Sequence, residues 1–207
     1  MSTVDFSQLL PPSLITELSY EAIFTKRKES FISLYDASEQ QAVRELLQRE
    51  SEPVVKLLQE NAYLEMLYQA KCNADARSLL LAYAEKSDLD HLALTEYGLT
   101  RLVVTPADNT VIPPVEAVYE SDERLRERCI LSFDGMNTAG SANAYRYFTL
   151  SADGRADGIK VRSEQDNPYL LDVVITQVDS VNGQASAELV QIVQAALDPE
   201  EVRPVCD

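Results

Sequence analysis

Apolar side chains recur along residues 38–86 at the three-and-four spacing of an amphipathic helix. Val43, Leu46, Leu47, Val54, Leu57, Leu58, Leu64, Leu67 and Tyr68 carry the pattern. Steps of four and three trace a heptad seam through Val43, Leu47, Glu50, Val54, Leu57, Asn61, Leu64 and Tyr68, interrupted by polar Glu50 and Asn61. Ser38 is the expected N-cap. Pro53 has no N–H to donate, so a break or kink is predicted around Glu50–Pro53, with Ser51 capping the second piece. Uninterrupted, the stretch would extend on the order of 70 Å at 1.5 Å per residue. A helix of that length has little to bury against inside a small domain and packs in a bundle, often with other chains. A shorter helix is predicted over Glu17–Leu34, with Leu18, Ala22, Ile23 and Phe31 on its apolar side.

The pattern changes after residue 86. Ser87-Asp-Leu-Asp90 reads as a capping sequence opening a helix that stops at Gly98. Arg101–Thr105 is expected to be extended and Pro106–Pro114 to be loop. Ser121 should cap a helix striped by Leu125, Cys129 and Phe133 and stopped by Gly135. Ser141 should cap another, carrying Tyr145 and Phe148. Two strands are predicted, Ile159–Ser163 and Tyr169–Val178, separated by the turn-rich Glu164-Gln-Asp-Asn-Pro168. After Gly183 a helix shows Leu189, Ile192, Val193, Ala196 and Leu197 at helical spacing, and Val202–Val205 looks like the start of one more strand. Phe133, Tyr145, Val173 and Leu189 are the expected core of this half.

Glycine usage supports the same division. All six glycines lie at Gly98 or later, as expected if the first part is helical and the second needs turns. The fold class is therefore α+β. Residues 1–86 form a long-helix arm in a multi-chain bundle, and residues 87–207 form a small mixed domain with a short sheet. Charge is uneven too, with 9 basic and 13 acidic side chains in residues 1–86 against 9 and 21 in residues 87–207.

The formal net charge of −16 repels phosphate backbones, so no nucleic-acid partner is expected. No apolar run approaches the roughly 20 residues of a membrane span, and Met1-Ser-Thr-Val-Asp-Phe6 has neither part of a secretory signal. No membrane anchor is expected. Cys72, Cys129 and Cys206 form no CxxC pair and are odd in number, which suits a reducing, intracellular setting better than a disulfide framework.

Little remains for chemistry. His91 is the one histidine, and no GxSxG or activated-cysteine context accompanies it, so it reads as a solvated or packing residue. Gly135-Met-Asn-Thr-Ala-Gly140-Ser-Ala has the spacing of a phosphate loop but lacks its lysine, and reads as a turn before a helix cap. Asp153-Gly-Arg-Ala-Asp157-Gly lacks the alternating oxygens and distal glutamate of an EF-hand, and reads as a charged turn. Cys129 lies on an apolar stripe and reads as core; Cys72 has no basic neighbour placed to activate it. Arg124, Arg126 and Arg128 interleave with Asp122, Glu123 and Glu127, which reads as a solvated, self-paired face. No catalytic residue, metal site or cofactor is expected.

The seam has two readings, an ordinary core or an interface with partner helices. Glu50 and Asn61 favour the interface, because a buried polar residue there costs stability but fixes register and partner number. Val43, Leu47, Val54, Leu57, Asn61, Leu64 and Tyr68 are accordingly the candidate partner-binding residues. The residues alone point to an assembly component, with a transient helical adaptor or chaperone as the other reading.

Longer motifs carry a resemblance. Glu50-Ser-Glu-Pro-Val-Val-Lys-Leu-Leu-Gln-Glu-Asn-Ala-Tyr63 is similar to a segment of the baseplate J-like proteins of contractile-tailed temperate phages. So, in order, are Ser87-Asp-Leu-Asp-His-Leu-Ala93 through Tyr97-Gly-Leu-Thr-Arg101, Thr105-Pro-Ala-Asp108 with Ile112-Pro-Pro114, and Ser121-Asp-Glu-Arg-Leu-Arg126. Thr138-Ala-Gly-Ser-Ala-Asn-Ala-Tyr-Arg-Tyr147, Leu150-Ser-Ala-Asp-Gly-Arg155 and Val202-Arg-Pro-Val205 complete the likeness.

The resemblance implies a structural component of the tail baseplate wedge, in a phage or an R-type pyocin, built in the host cytoplasm and without a catalytic site. The partners it implies are other wedge proteins, further copies of the chain, and sheath- and hub-proximal tail proteins in a ring around the central spike. Members of the family run on for roughly a further domain, so a sheet edge left open near Val202–Val205 is expected. Arg155-Ala-Asp-Gly-Ile159 departs from the family pattern at Gly158, which predicts a late start or a bulge in the first strand.

Overall fold

The computed structural model describes residues 17–136, 140–163, 170–199 and 202–203. Contacts divide the chain between Leu80 and Leu81 into a helical unit and an α+β unit.

In the helical unit, α1 (Tyr20–Ser33), α2 (Gln40–Leu46) and α3 (Pro53–Ser78) follow one another. Ser19 caps α1 by accepting from the Ala22 N–H. The expected break is present: α2 ends at Leu46, and Pro53 opens α3, where its missing N–H leaves nothing unsatisfied. The expected caps are not. Glu39 and Glu52 stand at those N-cap positions without a side-chain bond, so neither Ser38 nor Ser51 serves. At 26 residues α3 is about 39 Å long and ends at Ser78, short of Lys86. Its inner face packs on α1. Ile32, Leu47, Val55 and Leu58 form the buried core, with Phe24, Phe31, Val43 and Val54 around it.

The α+β unit begins with α4 (Lys86–Tyr97), which ends on Gly98 at φ 66, the left-handed residue the sequence predicts. Its start differs from expectation. Ser87 lies inside the helix, and the Lys86 N–H is satisfied by Asp122 Oδ2 at 2.9 Å, so a distant carboxylate does the work of a local cap. Strands β1 (Val103–Thr105) and β2 (Val118–Tyr119) pair antiparallel, and Asp108 and Val115 bridge further along the same hairpin. Helices α5 (Asp122–Gly135) and α6 (Ala142–Ala152) carry the predicted Ser121 and Ser141 caps, each accepting from the N–H three residues on.

The second sheet pairs β3 (Ala156–Ser163) with β4 (Leu171–Gln177). Strand β3 begins at Ala156, and the predicted irregularity is a register shift between Asp157 and Lys160. Gly158 allows it with φ +49, where a Cβ would collide with Thr176. Helix α7 (Ala187–Leu197), capped by Ser186, covers one sheet face. The strand expected from Val202 is not there at its start. The N–H groups of Val202 and Arg203 both donate to Pro199 O, a turn enforced just after the helix end. The turn expected at 164–168, and residues 204–207, lie outside the described residues.

Two cores result. Ala84, Leu89, Ala93, Leu99, Leu125 and Cys129 join α4 to α5, and Tyr145, Ala156, Leu189, Val193 and Leu197 join α6, α7 and the β3–β4 sheet. Phe133, expected in the core, is 64% exposed; its ring instead lies edge-on to Tyr97 at 5.8 Å. The architecture is α+β, as its sequence pattern predicts.

Candidate functional site

The seam read from the sequence separates into two sets. Leu47 is buried, and Val43 and Val54 pack against the same cluster, so these three serve the unit's own core. The heptad register cannot carry through the non-helical residues between α2 and Pro53. Beyond that point Leu57, Leu64 and Tyr68 are 56%, 55% and 69% exposed. They lie at i, i+7 and i+11, within about 20° of one line along the helix. Val55, Leu58 and Ala62 face inward some 100–160° around from them. Tyr63 and Leu67 widen the exposed apolar area to one side. Asn61 sits half-buried beside the line, its Nδ2 donating to Leu57 O at 3.0 Å. Helix α3 is thus apolar on two sides, and only one is used within its unit.

The α+β unit holds its charged chemistry in a buried network that the sequence reading placed in solvent. Arg124 and Arg128 are buried, and the Glu120 side chain between them is 0% exposed. Glu120 Oε2 pairs with Arg124, while Oε1 pairs with Arg128 and accepts from the Leu102 N–H at 3.0 Å. Arg124 also donates to the carbonyls of Leu150, Asp153 and Ala156, and Arg128 donates to Thr100 O. Arg126 is half-buried and reaches Leu81 O and Ala84 O. Burial pulls the Arg124 guanidinium pKa down, against the opposing charge of Glu120. The physical reason for the misplacement is local. Neighbouring acids at Asp122, Glu123 and Glu127 suggested self-pairing, but Arg124 and Arg128 stand one turn apart on α5 and both reach Glu120, which lies just before the Ser121 N-cap. That spacing was the available signal.

Arg101 extends the network outward, donating to Asp90 and Asp122 at 2.6 Å each and to Glu120 O at 2.7 Å. Burial works to raise the Asp122 carboxyl pKa, but the Lys86 N–H and Arg101 hold it below its usual range. Asp153 behaves likewise, with Arg155 overcoming burial. Of the segment expected to be a charged turn, only Asp153–Arg155 is one, tied by Arg155, which donates to both Asp153 carboxylate oxygens; from Ala156 it is already strand β3.

The remaining chemistry-bearing residues are dispersed. Cys129 is buried, and desolvation pushes its thiol up to about 11. Cys72 and His91 are exposed, while Cys206 and residues 137–139 of the loop-like segment lie outside the described residues. Among the described residues no group of three or more His, Cys, Asp or Glu is placed to hold a metal ion, and no helix is long and apolar enough to cross a membrane.

Comparison with known proteins agrees with the motifs. The Baseplate J-like N-terminal domain family matches residues 50–108, from the turn before α3 to the start of the β1–β2 hairpin loop. Baseplate protein J of Escherichia phage P2 is 44% identical over 207 residues, which is all of this chain and 67% of that protein. A relative so similar across the whole of this chain shows that the chain belongs to the baseplate J-like family.

Proposed function

We propose that the chain is a structural component of the tail baseplate wedge of a contractile phage tail or a phage-derived injection particle. It assembles with neighbouring wedge proteins around the central hub and has no catalytic role. Kinship with a phage baseplate protein supports the setting. The observation that carries the assembly reading is the outer face of α3, where Leu57, Leu64 and Tyr68 stand exposed in line beside Asn61. Monomeric proteins rarely leave apolar surface contiguous over several turns, and such surface marks an interaction site. The spacing suits the apolar stripe of another helix, with Leu57 and Leu64 as anchors and Asn61 setting register.

The test is retention. An epitope-tagged chain is expressed during particle production, and intact tails are purified by density gradient at high salt. The tag is expected to remain with the tails at fixed stoichiometry. A chain that binds baseplate proteins during production but is missing from finished tails would be a transient adaptor instead.

A further inference from the structure

Among the described residues, strand β4 has one edge without a partner strand. Strand β3 takes the other edge, and the sheet holds these two strands. Two bonds tell the edges apart. The Val178 N–H donates to Arg155 O on the β3 side, whereas the Gln177 N–H donates to Gly183 O on the far side. Alternate residues of a strand turn their N–H and C=O groups to the same edge, so those of Leu171, Val173 and Ile175 face away from β3. Among the described residues only Gln184 pairs there, opposite Thr176 at the end of the strand.

The same stretch of β4 lines a cleft of about 330 Å³. Leu171, Val173 and Ile175 form its wall on the sheet, Val193 and Leu197 form its wall on α7, and Arg203 also lines it. Free backbone groups beside an apolar slot suit an extended segment, held by main-chain bonds while alternate side chains enter the slot.

The chain itself brings such a segment to this place. Gln177 Oε1 accepts from the Ser186 N–H at 2.8 Å, so α7 begins at the end of β4. The helix packs back over the sheet through Leu189, Val193 and Leu197, and Val202 joins the same cluster. Arg203 donates to Leu197 O at the far end of α7, which returns the chain to the starting end of β4. A strand, a covering helix and a return to the strand's start are the first parts of a βαβ unit, whose next strand lies parallel to the first. The connection from Gln177 to Val202 exceeds the dozen or so residues that such a crossover needs.

We propose that Pro204–Asp207, outside the described residues, run as a strand parallel to β4 along this open edge, with Val205 seated in the cleft. Pro204, lacking an N–H, is tolerated as the first residue of a strand. At about 3.3 Å per residue, residues 204–207 advance as far as Leu171 to Ile175 does. Asp207 therefore comes level with the Thr176–Gln184 bridge, at the cleft's far mouth and off its apolar floor. The added strand closes an edge that would otherwise be a template for pairing with another chain. The inference concerns the α+β unit alone and is independent of the α3 reading.

The experiment is residue-resolved amide hydrogen exchange on the full chain. The Val173 N–H should be protected, and Val205→Asp should speed its exchange by about tenfold or more. The Val174 N–H, which faces β3, should keep its protection in the same variant. A chain ended after Arg203 should match Val205→Asp. A second arm joins Val205→Cys to Gln194→Cys, on the α7 side of the cleft, in a Cys72→Ser, Cys206→Ser background. Mild oxidation in dilute solution should give a disulfide within one chain.

Equal Val173 exchange in the full and shortened chains would overturn the proposal, as would failure of the two cysteines to join within one chain. Val173 protection that grows with protein concentration would put a second copy on the edge and contradict it too.

Discussion

The two units of this chain treat apolar and charged residues in opposite ways. The α+β unit from Leu81 onward builds two apolar cores and a buried ionic network in which Glu120 stands between Arg124 and Arg128. The helical unit up to Leu80 has a core centred on Ile32, Leu47, Val55 and Leu58 and leaves a second apolar face of α3 exposed. Its ion pairs, Arg27–Glu65 and Arg44–Glu29, lie at the surface, where such pairs contribute little. One unit therefore buries charge among its own backbone carbonyls, and the other keeps its charge at the surface and leaves a line of apolar residues exposed along one helix. A helix that carries more apolar surface than its own unit covers is where a candidate interface can be sought.

That contrast can be broken most severely at Glu120. Replacing it by Gln leaves Arg124 and Arg128 buried without their counter-charge and should cost about 3–5 kcal/mol. Urea denaturation followed by circular dichroism should show the α+β unit destabilised, and a loss under 1 kcal/mol would mean that water or relaxation compensates. The next test compares neighbours on α3. Leu58→Ala removes a buried side chain and should cost about 2–5 kcal/mol, whereas Leu57→Ala, on the exposed face, should change stability by no more than about 0.5 kcal/mol. Equal costs would mean that Leu57 is already covered within the free chain.

Smaller effects separate working caps from nominal ones. Ser121→Ala and Ser141→Ala should each cost about 1 kcal/mol, because both hydroxyls accept a helix N–H. Ser51→Ala should cost almost nothing, since Glu52 holds the N-cap position of α3. Acid should distinguish the α+β unit further. The Asp122 and Asp153 carboxyls titrate below their ordinary range in the folded chain. Their contribution is full above the unfolded value, about pH 4, and is lost as pH falls through the lower folded values. A titration of urea midpoints should show the decline beginning near that pH. Asp122→Asn should flatten it.

The success of the sequence reading varied with how local the cause was. The Ser121 and Ser141 caps, the Gly98 stop, the break at Pro53 and the strand irregularity at Gly158 all follow from a few adjacent residues, and all are present. The failures have distant causes. Ser87 is not a cap because Asp122, far along the chain, satisfies the Lys86 N–H. Arg124 and Arg128 are buried because carbonyls of Leu150, Asp153, Ala156 and Thr100 converge on them, which adjacent charges could not reveal. Of the candidate site, Leu57, Leu64 and Tyr68 were legible from spacing on one helix. Val43, Leu47 and Val54 were assigned with them because a heptad count runs through a turn that the chain does not continue as helix.

The most direct test of the central claim is whether the outer face of α3 is needed for assembly but not for folding. The double variant Leu57→Asp, Leu64→Asp should keep the thermal midpoint of the parent within a few degrees, because both side chains are already exposed. Co-expressed with the other baseplate proteins of its particle, it should fail to co-purify with them and be missing from gradient-purified tails. Normal incorporation of a normally folded double variant would contradict the account.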